Sequence, residues 1–394
     1  MKQYLNASVF YILLWSLYYL QGTLYAEGSI ISQLILAILL VYSFFCFCKV
    51  VISYKMPVLL KSLSFFLVIM TIYGVYFMLS PHQIYDENNL SSAVSKTLYL
   101  KNLYVSILPI YVMYYFAKKD LLSEEVVKII FIILLITYII LFQRVEQTEK
   151  LKLLANDLND DNVVNNISYH FLKLFPLLFF WNSKPILQFL IAAILLFFVL
   201  SGFKRGAIVI SVVCFMWFFY KIFKDIRGRQ RFYIVLLTIL FMVIGGTYVY
   251  MLYDSNQFFQ YRMEQTIQGD YSARDVIYLT LWNNFQQELS LLKVLFGNGV
   301  YHTISLTGTF AHNDWLELLT NQGLIGVLAY LLFFVYFVRT IYLNRRNNLF
   351  VAVMGMCFII IFLSSFYSMS YEMIGLAPAL GIGYCMCQIS NKKI

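Results

Sequence analysis

Residues 309–330, TFAHNDWLELLTNQGLIGVLAY, set a histidine (His312), two amides (Asn313, Asn321) and two carboxylates (Asp314, Glu317) directly before an apolar run. A neutral imidazole is suited to accept a proton from a hydroxyl near neutral pH. Asp314 followed three residues later by Glu317 reads as a capping-box variant, which starts a helix and leaves His312 just outside its N-terminus. The open amides and positive dipole end of such a terminus attract an anion such as a phosphate. They also disfavour protonation of a neighbouring imidazole, as nearby arginines would, and so keep it available as a base. Gly323 and Gly326 fall three apart on the same helix and permit close approach of another backbone. His302 is a second candidate base without the helix-terminus setting. The competing reading is a polar loop that caps a membrane helix and carries an incidental histidine.

Cations for that anion stand elsewhere in the chain. Lys204 and Arg205 lie in SGFKRGA, a tight connection between two apolar runs, and Arg262 and Arg274 lie in the long segment ahead of His312. A guanidinium offers phosphate a planar fork of donors. Val276, Ile277, Leu279, Leu281 and Phe285 recur near helical spacing, so residues 273–289 read as an amphipathic helix lying on a membrane, with Arg274 at its start. Gly297, Gly299 and Gly308 allow tight turns before His312.

The elements that must position these groups are membrane helices. Of 394 residues, 61% are hydrophobic and only 12% charged, and the mean hydropathy is +0.73. That leaves too little polar surface for a water-soluble chain of this length. The apolar runs predict an all-α polytopic bundle of about twelve spans, near 4–20, 29–48, 62–79, 102–117, 126–142, 169–182, 185–201, 206–223, 232–252, 323–341, 349–369 and 374–389. The whole chain, 1–394, then forms one transmembrane domain, with a large outer loop over 253–322 inserted before the tenth span. The formal net charge of +9 is spread as a membrane protein spreads it and does not point to nucleic acid. Lys49, Lys55, Lys61, Lys118, Lys119, the cluster from Lys221 to Arg231, and Arg339, Arg345 and Arg346 occupy alternate loops. By the positive-inside rule those loops are cytoplasmic, as are both termini. Lys204 and Arg205 break the rule at an outer helix end, which is where a bound anion or simple interfacial snorkelling would put them.

Other chemistry finds little support. The six cysteines fall in or beside apolar runs without metal-site company or a disulfide pattern. The N-terminal apolar segment lacks a small-residue cleavage site and reads as a retained helix. Asp157, Asp160 and Asp161 resemble the paired acids that hold a divalent ion in some sugar transferases, but no second ligand cluster accompanies them and hydration is the plainer reading. His82, Asp86 and Glu87 in an earlier outer loop lack metal-site spacing. Phosphate loops of the Walker type, dinucleotide fingerprints and nucleophile elbows are missing, so no cofactor is expected and activation must come with the substrate.

Taken in order, SGFKRG with Arg205, YSARDVIYLTLW with Arg274, the turn GNGVY and AHNDWLELLTNQGLIG resemble the O-antigen polymerase and O-antigen ligase superfamily, membrane glycosyltransferases of GT-C type that assemble bacterial surface polysaccharides. The resemblance is specific over about residues 200–330 and is a hydropathy likeness before that. It implies a glycan donor on undecaprenyl pyrophosphate, inversion at the anomeric carbon and no required metal. It further implies that Arg205, Arg274 and Arg262 engage the pyrophosphate, that His312 prepares the acceptor hydroxyl, and that Asn313, Glu317 and Lys204 support them. The expected setting is the bacterial inner membrane with the site facing the periplasm, and the partners are lipid-linked donor and acceptor, membrane lipid and a chain-length regulator protein. A repeat-unit polymerase is the first reading. A ligase that attaches the chain to lipid A core is the second, and a lipid-linked oligosaccharide flippase is the rival from outside enzymes.

Overall fold

The computed structural model describes residues 6–80, 95–155, 164–182, 184–255, 274–368 and 371–391, with Gln260 and Glu264. Among them every regular element is helical and there is no strand. Apolar chain in lipid has no water to satisfy its peptide groups, and a helix bonds them within itself. The order is α1 (Ala7–Tyr19), α2 (Ile30–Ser53), α3 (Val58–Leu79), α4 (Leu98–Lys118), α5 (Glu124–Ala155) and α6 (Ser168–Leu174), which continues as a 3-10 stretch (Phe175–Trp181). Next come α7 (Pro185–Ser201), α8 (Arg205–Asp225) and α9 (Arg229–Ser255). Three short helices follow, α10 (Arg274–Gln287), α11 (Leu291–Phe296) and α12 (His302–Thr307), and then α13 (Asp314–Leu343), α14 (Asn348–Tyr367) and α15 (Leu376–Asn391). Asn6, Ser29, Asn313 and Asn347 cap α1, α2, α13 and α14, each accepting backbone amides of the first turn.

Seven of these helices, α2, α3, α5, α8, α9, α13 and α14, are long and apolar enough to cross a membrane. Each of the twelve apolar runs overlaps a helix, but among the described residues the number of helices that meet the requirement is lower than about twelve. The reason is geometric for most of the others: α1 has 13 residues and α15 has 16, and at 1.5 Å per residue either falls short of a core about 30 Å thick. In α4, five tyrosines dilute the apolar run. The outer surface is apolar. Only 22% of the most apolar window of α2 and 6% of that of α9 is buried inside the protein, so their side chains face outward, as they must against lipid.

The centre of the bundle is α4 packed on α15, both buried on nearly every face. A Cβ on Gly383 would lie 2.7 Å from the amide nitrogen of Tyr114 and 2.9 Å from the carbonyl oxygen of Ile110. Only a residue without a side chain lets the two backbones meet so closely. Their contact joins the C-termini of both helices at one end, where Lys118 Nζ donates to Asn391 Oδ1 at 2.5 Å and Ser390 Oγ to the Lys55 carbonyl at 3.4 Å. Lys55 and Lys118 thus lie at that end. The same packing brings the start of α4 and the turn before α15 together at the other.

Candidate active site

At that opposite end lies a cavity of about 410 Å3 whose wall is built from the starts of α4, α6, α8 and α10, the loop before α13, and the turn that joins α14 to α15. Lys204, Arg274 and His312 line it, three residues from three separate segments.

The conformation of His312 is imposed by its neighbours. It has φ of 52°, a left-handed value uncommon for a side-chain-bearing residue. The N–H of Ala311 just before it donates to Glu317 Oε2 at 2.9 Å, and the other oxygen of Glu317 accepts from Thr303 Oγ1 and from Asn321 Nδ2 at 3.0 Å. Asn313 after it caps α13, accepting the amides of Trp315 at 3.0 Å and Leu316 at 3.2 Å. The helix therefore starts one residue earlier than the capping-box pattern suggests, with Asn313 and not Asp314 as the cap. Asp314 is fully buried, accepts the Tyr330 hydroxyl at 2.8 Å and the Tyr371 N–H at 3.3 Å, and so ties the α14–α15 turn to the start of α13. Both carboxylates are staples, and the imidazole before them is left to the cavity.

Gly323 does not lie on a continuous helical face. Its φ of 65° and ψ of −161° break α13 into two helices. The carbonyls released by the break are taken up by the GNGVY turn: Asn298 N–H donates to Thr320 at 3.1 Å and Gly299 N–H to Asn321 at 2.9 Å. A Cβ on Gly323 would lie 2.5 Å from the nitrogen of Gly297, and one on Gly297 would lie 2.4 Å from the Asn321 carbonyl. The expected close approach is real at Gly323. Gly326 instead faces the side chain of Gln322 on the other side of the break.

Lys204 is set by a second docking. The carbonyl of Gly202 accepts the N–H of Asn165 at 2.9 Å, and a Cβ on Gly202 would strike Ser168 Oγ. The SGFKRG turn is thereby fastened to the start of α6 and carries Lys204 into the wall. Arg205, the first residue of α8, is half-buried and does not line the cavity. Arg274 opens α10 as the spacing predicts, and the Tyr278 phenol one turn on lies beside Asn313 and Arg274. Val276, Leu279 and Trp282 point outward from α10, while Leu281 is buried. His302 does not line the cavity and faces Lys293 and Glu288. Arg262, His82, Asp86, Glu87 and the acidic triplet Asp157, Asp160 and Asp161 lie outside the described residues.

Burial, with the positive charges of Arg274 and then Lys204, pushes the His312 imidazole down to about 4. At neutral pH it is uncharged and can accept a proton. The arrangement thus sets a neutral base beside two cations that could hold an anion. Among the described residues no group of three or more histidines, cysteines, aspartates or glutamates could hold a metal ion.

The cavity also has members that the motifs did not reveal. Asn102 Nδ2 donates to Glu372 Oε2 at 3.1 Å, across 270 positions of sequence. Burial pushes the Glu372 carboxyl up to about 8. Lys173 donates to the Met373 carbonyl, and Tyr169, His170 and Ser364 complete this part of the wall. A lone glutamate in YEMIG and a lone asparagine in an apolar run carry no spacing signal. Asn102 alone carried a hint, as a strongly polar residue within an apolar run, whereas Glu372 lies between two runs.

The chain matches no protein-family model and none of the curated proteins.

Proposed function

We propose that this chain is a polymerase of O-antigen or capsule repeat units. In this reading it is an integral-membrane glycosyltransferase that moves a growing glycan from undecaprenyl pyrophosphate onto a lipid-linked repeat unit, with inversion, at the periplasmic face of the bacterial inner membrane. The observation that carries the reading is the meeting of Arg274, Lys204 and an uncharged His312 in one cavity.

The proposed step needs little else. The acceptor hydroxyl oxygen forms the new bond to the anomeric carbon while its proton passes to the His312 imidazole. The bond from that carbon to the pyrophosphate oxygen breaks, and its electron pair leaves with the pyrophosphate. A pyrophosphate leaves without a strong acid, so the task is to neutralise charge and remove one proton. Arg274 and Lys204 meet the leaving charge, with Lys204 taking the part that the motif assigns to Arg205. Arg262 remains an additional phosphate contact in this reading, and a chain-length regulator an additional partner. Lys55 and Lys118 lie at the end of the bundle away from the cavity, which supports, by the positive-inside rule, a cavity that faces outward.

A ligase would use the same base and cations and differ in its acceptor. A flippase is favoured by one observation, the broken α13, since transporters build ion sites at such breaks. Here the carbonyls of Thr320 and Asn321 are taken by the amides of Asn298 and Gly299, which leaves the break a structural joint.

The test is reconstitution of purified protein in bilayers with lipid-linked repeat units. The reading expects a ladder of longer glycans on the carrier and release of undecaprenyl pyrophosphate, both lost in His312→Ala. Repeat units that stay single with wild-type protein would refute it.

A further inference from the structure

Four buried polar atoms of side chains lining the cavity have no hydrogen-bond partner among the described residues: Tyr169 Oη, His170 Nδ1, Ser364 Oγ and Glu372 Oε1. Glu372 and Ser364 are each only 4% exposed. Leaving a buried polar atom unpaired is unfavourable, and four of them gathered at one cavity mark a place where a ligand can supply their bonds. None of the four is used by the base or the cations of the proposed transfer.

Their chemistry points away from a second anion. A carboxyl and an amide, Glu372 and Asn102, stand at the centre, and a carboxyl that carries its proton at neutral pH offers both a donor and an acceptor. The imidazole and the hydroxyls can likewise give or accept. Phe310 and Tyr367 add aromatic surface to the same wall. Mixed donors and acceptors beside aromatic rings suit an uncharged ring bearing several hydroxyls. The volume of about 410 Å3 lies within the roughly 300–1,000 Å3 usual for small-molecule sites.

We propose that Glu372, Asn102, His170 and Ser364 form a sugar subsite, which binds a hydroxyl-bearing ring of the glycan repeat unit next to the cationic group that holds its pyrophosphate. This assignment rests on the glycosyl-transfer reading and adds to it the residues that hold the glycan. Asn102 orients Glu372 by bonding one oxygen, and the other, buried in the cavity wall, has no partner among the described residues.

The experiment measures binding to the purified full chain of two probes: the free repeat-unit oligosaccharide, released from lipid-linked repeats by mild acid, and undecaprenyl pyrophosphate without sugar. Glu372→Ala is expected to weaken oligosaccharide binding at least about tenfold, the loss for a bond to a buried ionisable group, and to leave undecaprenyl pyrophosphate binding unchanged. Glu372→Gln retains most of the oligosaccharide binding. Arg274→Ala shows the reverse pattern. Should Glu372→Ala fold poorly, Ser364→Ala removes a hydroxyl that has no partner among the described residues, so it keeps the thermal midpoint and is still expected to weaken oligosaccharide binding. Oligosaccharide binding untouched in the folded Glu372 and Ser364 variants, with undecaprenyl pyrophosphate still dependent on Arg274, overturns the subsite alone. Absence of undecaprenyl pyrophosphate binding to wild-type protein overturns the transfer reading beneath it, and the subsite with it.

Discussion

Glu317 accepts the backbone N–H of Ala311 at 2.9 Å, and through that single bond a buried carboxylate in α13 sets the direction of the imidazole one residue further on. Glu317 never meets the cavity. It holds Thr303 and Asn321 with its other oxygen, so the loop before His312, the start of α12 and the first turns of α13 form one joint. Positioning and chemistry are thereby divided between adjacent residues, and mutation can tell them apart.

Glu317→Ala would leave three buried donors unpaired, each worth roughly 1–3 kcal/mol. The expected outcome is loss of transfer together with a clear fall in the thermal midpoint. His312→Ala should reduce transfer by a factor of about a hundred to ten thousand with the midpoint unchanged. Equal midpoints in the two variants would show that Glu317 does not hold the joint.

The pH dependence follows from the charges around His312. Its imidazole is held at about 4, below the ordinary 6.5, by burial and by Arg274 and Lys204. The base is therefore neutral and competent at higher pH and is lost only as pH falls through about 4. Removing a positive neighbour makes protonation easier and raises that value. Arg274→Ala, besides lowering the rate by about a hundredfold to a thousandfold, should move the acid limb of kcat/KM to higher pH. Lys204→Ala should move it the same way by less. A limb that stays in place in Arg274→Ala would separate the guanidinium from the base.

Lys204 lines the cavity and Arg205 does not. Lys204→Ala is accordingly expected to depress transfer more than Arg205→Ala, measured as release of undecaprenyl pyrophosphate. The opposite ranking would return the phosphate role to the arginine.

Gly323→Ala adds a Cβ where φ is 65° and where the nitrogen of Gly297 would lie 2.5 Å away. A backbone at φ 65° and ψ −161° is essentially restricted to glycine and is unfavourable by roughly 1–3 kcal/mol for a residue with a side chain, and the clash with backbone adds to it. The yield of folded protein should fall. Gly245→Ala, on α9 with nothing within 4 Å of the new carbon, should fold as well as wild type.

These outcomes mark how far the amino-acid order alone carries the site. His312 before a helix and Arg274 at the start of α10 were legible because capping residues and helical periodicity are local signals. The break at Gly323 was not. A glycine pair three apart has the same spacing whether the backbone continues or reverses its φ, and only the arrival of Asn298 and Gly299 at the freed carbonyls distinguishes the two. The pairing of Asn102 with Glu372 was equally hidden, because it depends on α4 packing against α15 through Gly383. Nor does an apolar run reveal that α1 has only 13 residues, since its ends are set by the Asn6 cap and the turn at Leu20.

The glycan profile of the producing bacterium after deletion of this protein bears most directly on the claim that the cavity joins lipid-linked repeat units. Polymerase function predicts lipid A core capped by one repeat unit, with long chains restored by the wild-type protein and not by His312→Ala. Bare core with polymer stranded on the carrier, or single repeats trapped facing the cytoplasm, would contradict it.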